Sequence, residues 1–434
     1  MKSQKINNGL VGIVKIPGDK SISHRSIIIP AISNGISEVS NILISEDVNN
    51  TIKAFELMNV KIKKFKKKIK IYGKGLDSLK KPKKNIYLGN SGTSARLLIG
   101  LLASQKFDSV LTGDSSLSSR PMERIVNPLN LMNAKIDTNS GKMPIKIYGN
   151  DLKNTEIEID IPSAQIKSGL ILAALNTKGK TKIIEKHTTR NHTEIMLESF
   201  EANIDLKKND NKTEIIIIGK KELTPKNIDV PADLSSSAFF IVAALINKNS
   251  EITLKNININ PTRNGILIAL KKMGANIKII NNRFINNENV ADLKVKSSQL
   301  NGCELDEDIA KLMIDEYPII SIAAAFANTP SVFKGLKELR VKESDRLNLI
   351  KINLEKCGCN CKIENDNLFI NPIEKLNINN QNIQTDFDHR IAMSFLVMGS
   401  RLGELYIEKS DSIKTSFPNF VEEFNRAGGN IYWK

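Results

Sequence analysis

The sequence predicts an α/β protein of two lobes, each assembled from three copies of one helix-and-strand unit. Three observations lead there. The chain has 434 residues, 41% of them hydrophobic, which is too long for one ordinary core and apolar enough for two. A polar opening followed by an apolar run rich in Ala, Gly and Ser recurs six times, from Lys15, Leu88, Ile161, Val230, Ile314 and Thr385, at offsets of 73, 73, 69, 84 and 71. A second signature, a helix-ending dipeptide leading into a strand (MNVKI, MNAKI, EANI, GANI, GCNC, GGNI), recurs at Lys61, Lys135, Asn203, Asn276, Asn360 and Asn430, at offsets of 74, 68, 73, 84 and 70. The two series keep step, including the long step of 84. Two interleaved series in register over six copies mark an internal repeat, and one copy then holds about 72 residues, a sixth of the chain.

Each element of the unit has a local reason. The polar opening reads as a helix N-terminus, and the run behind it as a helix whose small residues allow close packing on all sides. The segments KKKIKIY (66–72), PIKIYG (144–149) and TEIIIIG (213–219) alternate or are β-branched and read as strands. Pro17–Gly18 and the stretch DVPAD near residue 230 break secondary structure, and both lie at the start of a copy. Chain crossings are therefore expected near 17–20 and 229–233. One lobe is expected to hold residues 1–17 plus 232–434, with an N-terminal strand, and the other residues 18–231.

Composition narrows the function. The net charge is +16, but the lysines are scattered and aromatic residues make up only 5%. Nucleic-acid binding favours a basic patch with interleaved aromatics, so no nucleic-acid partner is expected; a positive field suits a small anionic substrate instead. No apolar run reaches the roughly 18 residues that a membrane span needs, and the opening MKSQKINNGL lacks a signal-peptide core. A cytoplasmic protein without a membrane partner is expected. Cys357, Cys359 and Cys361 alternate and Cys303 stands alone; no second ligand pair accompanies them, so they read as small apolar strand residues rather than a zinc site. His187 and His192 lack the H-E-x-x-H spacing, and no metal site is expected. His24 and His389, each before an arginine at a helix opening, read as structural hydrogen-bonders.

A helix N-terminus offers unpaired N–H groups and the positive end of a dipole. The openings GDKSISHR, GNSGTSAR, PSAQIKSG and DFDHR add lysine, arginine and hydroxyls to it. If the buried helices of a lobe run in one direction, these ends converge on a cleft suited to a small polyanion. GNSGTSAR is not a P-loop, because the G-x4-G-K spacing fails. Arg120 follows a loop of hydroxyls and precedes Pro121, which holds it extended as a possible carboxylate or phosphate fork. In LRVKESDRLNLI (339–350), Lys342 and Arg346 would share a helix face; the competing reading is a solvated, salt-bridged helix start. Asp315, at the head of an apolar segment, is either an N-cap or a general base.

The motifs PGDKSISHR, LGNSGTSARLL, GDSSLSSRPM, PSAQIKSGLILAAL, ADLSSSAFF, RVKESDRL, DHRIAMS and SFPNF, in this order from end to end, resemble the 5-enolpyruvylshikimate-3-phosphate synthase family. The resemblance implies a two-lobed inside-out α/β barrel, each lobe three βαβαββ units with buried parallel helices. It implies transfer of the enolpyruvyl group of phosphoenolpyruvate to the 5-hydroxyl of shikimate 3-phosphate, in aromatic amino acid synthesis, by a monomer with no metal and no organic cofactor. Glyphosate is the inhibitor it implies.

Residue by residue, the resemblance places Lys20, Ser21, Arg25, Ser163, Gln165, Asp315 and Lys342 on shikimate 3-phosphate, and Lys20, Gly92, Arg120, Gln165, Arg346 and Arg390 on phosphoenolpyruvate. Asp315 is the implied base for the 5-hydroxyl. Glu343 is the implied acid for the enol methylene, with Lys20 as its rival. Ala164 replaces the second serine of the family's S-S-Q, Arg190 stands at the place of a tyrosine, and K-T-S-F-P puts Lys414 one position out of register with K-T-F-P. The alternative within the same fold is a UDP-N-acetylglucosamine enolpyruvyl transferase, which would show a K-N-A opening and a loop cysteine; residues 112–122 contain no cysteine. A repeat-built binding protein would not need Asp315 and Glu343 beside the anion-binding groups.

Overall fold

In the computed structural model, which describes residues 1–66, 68–209, 212–374 and 381–433, every repeat is built around one four-stranded sheet, and there are six such sheets among the described residues. The third repeat shows the plan. Strand Glu156–Ile159 leads into helix Ala164–Leu175 and the parallel strand Lys180–Glu185. Helix His192–Ser199 then leads into the antiparallel hairpin of Ile204–Asn209 and Lys212–Ile218. The order in the sheet is first, second, fourth, third strand. The parallel first pair, which needs a helical crossover, recurs in all six sheets. The three strands expected from sequence lie in Lys68–Lys74, Lys142–Tyr148 and Lys212–Ile218; Lys67, within the first, is outside the described residues.

Three short segments serve sheets far from their own place in the chain. Ile228–Asp229 pairs in parallel with Asn34–Ser40 and supplies the first strand of the first repeat. Val11–Val14 pairs in parallel with Glu251–Asn258 and supplies that of the fourth. Lys2–Ser3 lies between Leu405–Ile407 and Ile431–Tyr432, antiparallel to both, and completes the sixth. The chain accordingly divides into two compact units. One is Gly18–Val230 with Ile285–Glu288, here the Gly18 unit; the other is Met1–Pro17, Pro231–Phe284 and Asn289–Lys434, the Pro231 unit. Each has its own hydrophobic core.

The first helix of each repeat is buried almost entirely, and Leu234–Ile246 is buried at every residue. Small residues permit this. A Cβ on Gly100, in helix Gly92–Ala103, would stand 1.9 Å from the carbonyl oxygen of Gly169 in helix Ala164–Leu175, so any larger residue would force the two helices apart. The motif SFPNF belongs to the core: Phe417, Phe420 and Phe424 surround Phe240 at ring separations of 5.6–5.9 Å. Truncating such a ring costs about 3–5 kcal/mol.

The second repeat signature is a helix-ending turn. The residue two before the strand position takes a left-handed φ in all six copies: Asn59, Asn133, Glu201, Gly274, Gly358 and Gly428. The next residue donates to the carbonyl five positions back, at 2.9–3.2 Å, in Val60–Phe55, Ala134–Leu129, Ala202–Leu197, Ala275–Leu270, Cys359–Leu354 and Gly429–Phe424. That is the Schellman arrangement, which satisfies end carbonyls and favours Gly or Asn at the left-handed position; Glu201 is the exception.

Two expectations fail. Cys357 ends helix Arg346–Lys356, Cys359 sits in the turn, and only Cys361 lies in a strand, Cys361–Glu364. Their alternation is that of the turn, not of a strand. All three are buried, and burial pushes their thiols up to about 12. Lys342 and Glu343 are not on the helix of Arg346. A 3-10 turn ends at Val341, and Asp345 caps a helix that begins at Arg346; a capping aspartate three residues ahead of Asn348 outweighs the i,i+4 pattern.

Candidate active site

In the Gly18 unit the helix openings carry cations. Asp19 caps helix Lys20–Ala31 by accepting from the Ile22 N–H at 2.9 Å. Lys20 opens the helix, and its ammonium is ion-paired with the buried Asp47. Arg25, one turn on, is 3% exposed. It donates from Nε to Thr193 (2.6 Å), from Nη1 to the Ser21 carbonyl (2.9 Å) and from Nη2 to Ser168 (2.7 Å). Burial pulls its pKa down to about 10, with Arg190 adding to that and Glu194 and Glu288 opposing it. The neighbouring polar groups face inward. Ser23 accepts from the Leu43 N–H at 3.0 Å, and His24 Nδ1 lies 2.8 Å from Thr51 Oγ1 and 3.2 Å from Ser94 Oγ.

A second opening, helix Gly92–Ala103, lies beside two arginines. A Cβ on Gly92 would stand 2.9 Å from Arg120 Nη1 and 3.0 Å from Arg96 Nη1. Arg120 has the extended backbone expected before proline, with ψ of 144°, and donates to Asn90 and, at 3.2 Å, to Ser116. The hydroxyl loop before it is the short helix Ser115–Ser119 rather than irregular chain. Gln165 joins this group: its Oε1 accepts from Arg96 at 2.5 Å and its Nε2 donates to Thr93 at 3.0 Å. Ser163 is the N-cap of helix Ala164–Leu175, accepting from the Ile166 N–H at 3.5 Å.

In the Pro231 unit the pattern is carboxylates around an arginine. Arg346 is fully buried. Its Nε donates to Asp388 at 2.7 Å, its Nη2 to Glu343 at 2.5 Å and its Nη1 to Asp315 at 3.2 Å. Burial alone would lower the Arg346 pKa, but Asp388, Glu343 and Asp315 together raise it above its ordinary value. Lys342 Nζ lies 3.6 Å from the same Asp315 oxygen. Arg390, in the opening of helix His389–Leu402, donates to the Asp315 carbonyl at 3.1 Å. Asp315 does not cap the following helix: the N-cap of Tyr317–Ala325 is Glu316, and no side chain caps it. A carboxylate beside a lysine and an arginine, with a second carboxylate on the same guanidinium, can move protons.

Lys20, Ser21 and Arg25 thus share one helix, and Gly92, Arg120 and Gln165 share a second cluster joined by Arg96. Asp315, Lys342, Glu343, Arg346 and Arg390 form the third. Sequence reasoning passed over Arg96, Asp388 and Glu316. Arg96 had a signal, since it is the eighth residue of GNSGTSAR as Arg25 is the eighth of GDKSISHR. It also passed over Lys167, fully buried on the helix of Gln165 and ion-paired with Glu185 at 3.0 Å and Glu194 at 2.8 Å.

Comparison with known proteins sets these clusters in context. Residues 4–424 match the family described as EPSP synthase (3-phosphoshikimate 1-carboxyvinyltransferase). A 3-phosphoshikimate 1-carboxyvinyltransferase of Ruthia magnifica subsp. Calyptogena magnifica is 46% identical over 431 residues, 98% of each chain. The solved structure of the EPSP synthase of Acinetobacter baumannii is 43% identical over 98% of each chain, with a TM-score of 0.86. The enolpyruvyl transferase NikO of Streptomyces tendae shares the fold, with a TM-score of 0.77 at 14% identity over 99% of this chain and 98% of that one.

Proposed function

We infer the division of labour in these clusters from one premise: the chain belongs to the EPSP synthase family, the 3-phosphoshikimate 1-carboxyvinyltransferases. It transfers the enolpyruvyl group of phosphoenolpyruvate to the 5-hydroxyl of shikimate 3-phosphate and releases phosphate, within aromatic amino acid biosynthesis. The relatives favour this over a UDP-N-acetylglucosamine acceptor.

In our reading, Lys20, Ser21, Arg25, Ser163, Gln165 and Lys342 hold shikimate 3-phosphate. Lys20, Gly92, Arg120, Gln165, Arg346 and Arg390 hold phosphoenolpyruvate, whose phosphate and carboxylate call for several cations. Asp315 takes the proton of the 5-hydroxyl as its oxygen attacks C2. C3 gains a proton from Glu343 or Lys20, giving a tetrahedral ketal. Loss of phosphate with a C3 proton restores the double bond. The observation that most supports this is the placing of Asp315 and Glu343 on one buried guanidinium, Arg346, which holds a base and an acid in fixed relation. Glyphosate is proposed as an inhibitor at the phosphoenolpyruvate groups, admitted by the bare Gly92. The two compact units are proposed as the catalytic lobes, with hinge crossings near 17–20 and 229–233.

No helix among the described residues is long and apolar enough to cross a membrane; a cytoplasmic monomer is the reading that goes with the pathway. A coupled phosphate-release assay with both substrates tests the whole. Release is expected with shikimate 3-phosphate and not with UDP-N-acetylglucosamine; the reverse pattern overturns it.

A further inference from the structure

Behind Arg390 lies a buried chain of charges that no step above uses. Glu316 is 2% exposed. A carboxylate so buried is costly unless it is paired, and it does no capping work for the helix that follows. One Glu316 oxygen accepts the Ser235 hydroxyl proton and lies 3.7 Å from Arg390 Nη1. Ser235 has one proton to give and gives it to Glu316, so toward Arg263 it accepts, from Nη2 at 2.7 Å. The same Arg263 nitrogen donates to Asp233 at 2.9 Å. Asp233 is tied in turn to the main chain: its carboxylate accepts from the Ser235 N–H at 2.9 Å and its own N–H donates to the Pro17 carbonyl at 3.0 Å. The order Asp233, Arg263, Ser235, Glu316, Arg390 therefore alternates in charge around a hydroxyl whose direction is fixed at both ends.

Arg390 is oriented by what it has at one end. Its Nη1 is taken by the Asp315 carbonyl and faces Glu316. Its Nε and Nη2 make no hydrogen bond to the described residues, and that edge is the fork that engages a carboxylate or phosphate with two parallel bonds. We propose that Glu316 is a positioning residue: anchored by Ser235 and Arg263, it holds the Nη1 corner of Arg390 so that the Nε–Nη2 edge is presented to phosphoenolpyruvate. This rests on the assignment of Arg390 to phosphoenolpyruvate.

Glu316→Gln keeps the shape and removes the charge. It is expected to raise the KM for phosphoenolpyruvate about tenfold, equivalent to about 1.4 kcal/mol, while kcat and the KM for shikimate 3-phosphate stay within about twofold of the wild type. Should that variant not fold, Ser235→Ala carries the test with the same selective rise, smaller in size. In an Arg390→Lys background, which has no fork to aim, the effect of Glu316→Gln should vanish. An unchanged KM for phosphoenolpyruvate, an equal loss for both substrates, or additivity with Arg390→Lys overturns the proposal. Absence of turnover in the wild-type chain overturns the catalytic reading and this proposal together, whereas a normal wild type with an unaffected Glu316→Gln overturns this proposal alone.

Discussion

The two units treat arginine in opposite ways. In the Gly18 unit, Arg25 donates to two hydroxyls and a carbonyl, and Arg120 and Arg96 donate, among their contacts, to Asn90, Ser116, Gln165 and the Pro121 carbonyl. Neutral oxygens fix the direction of a guanidinium without cancelling its charge. In the Pro231 unit, Arg346 meets three carboxylates. That arginine fixes three acids around its own charge. On the proposed roles, the hydroxyl- and amide-held arginines serve anion binding alone, whereas Arg346 serves both an anion and the acids Asp315 and Glu343, although both units are built on the same sheet plan.

The largest effect expected is on the acids. Asp315→Asn should lower kcat about 10³-fold, within the range of acid–base catalysis, and leave shikimate 3-phosphate binding by titration nearly intact; near-normal turnover would erase the contrast. Next, Arg120→Ala should raise the KM for phosphoenolpyruvate about 50-fold, as for loss of charge-assisted bonds, with a much smaller change for shikimate 3-phosphate. Equal losses would mean that the Gly18 unit does not sort the two anions. Gly92→Ala puts a methyl 2.9 Å from Arg120 Nη1, and it should weaken glyphosate inhibition about tenfold, in keeping with the cost of overpacking. Inhibition constants measured against both proteins decide this.

The smallest effect concerns acid. His24 is buried, and burial, followed by Lys20 and Arg25, holds its pKa well below 6.5. An unfolded histidine takes up a proton near 6.5, so protons favour the unfolded chain below that pH. The stability present above 6.5 is lost as pH falls, by at most about 1.4 kcal/mol per pH unit. His24→Asn should flatten the dependence of Tm on pH between 7 and 5. A slope equal to the wild type would move the acid sensitivity elsewhere.

What could be read in advance was whatever the backbone repeats. The six turns with left-handed Asn, Gly or Glu leave a local mark, and so do the N-caps Asp19, Ser91, Ser163, Asp233 and Asp388. Arg25 stood out in one of those openings, Arg120 before a proline, and Asp315 and Arg346 as charges beside apolar runs. Groups whose partners come from distant elements left no such mark. Lys167 meets Glu185 and Glu194 from a strand and a helix farther along, and Glu316 meets Ser235 across 81 positions. Lys342 misled because its spacing to Arg346 suits a helix, while Asp345 delays the helix until Arg346.

The placing of Lys2–Ser3 between Leu405–Ile407 and Ile431–Tyr432 has a consequence for biosynthesis. At about 5–20 residues per second, that strand must wait roughly 20–80 s for its neighbours to leave the ribosome. The Gly18 unit meets no such delay for Gly18–Val230. Its core can close while the early strand is still unpaired, so Lys2–Ser3, translated about 400 residues ahead of its partners, is among the last segments to reach its native place.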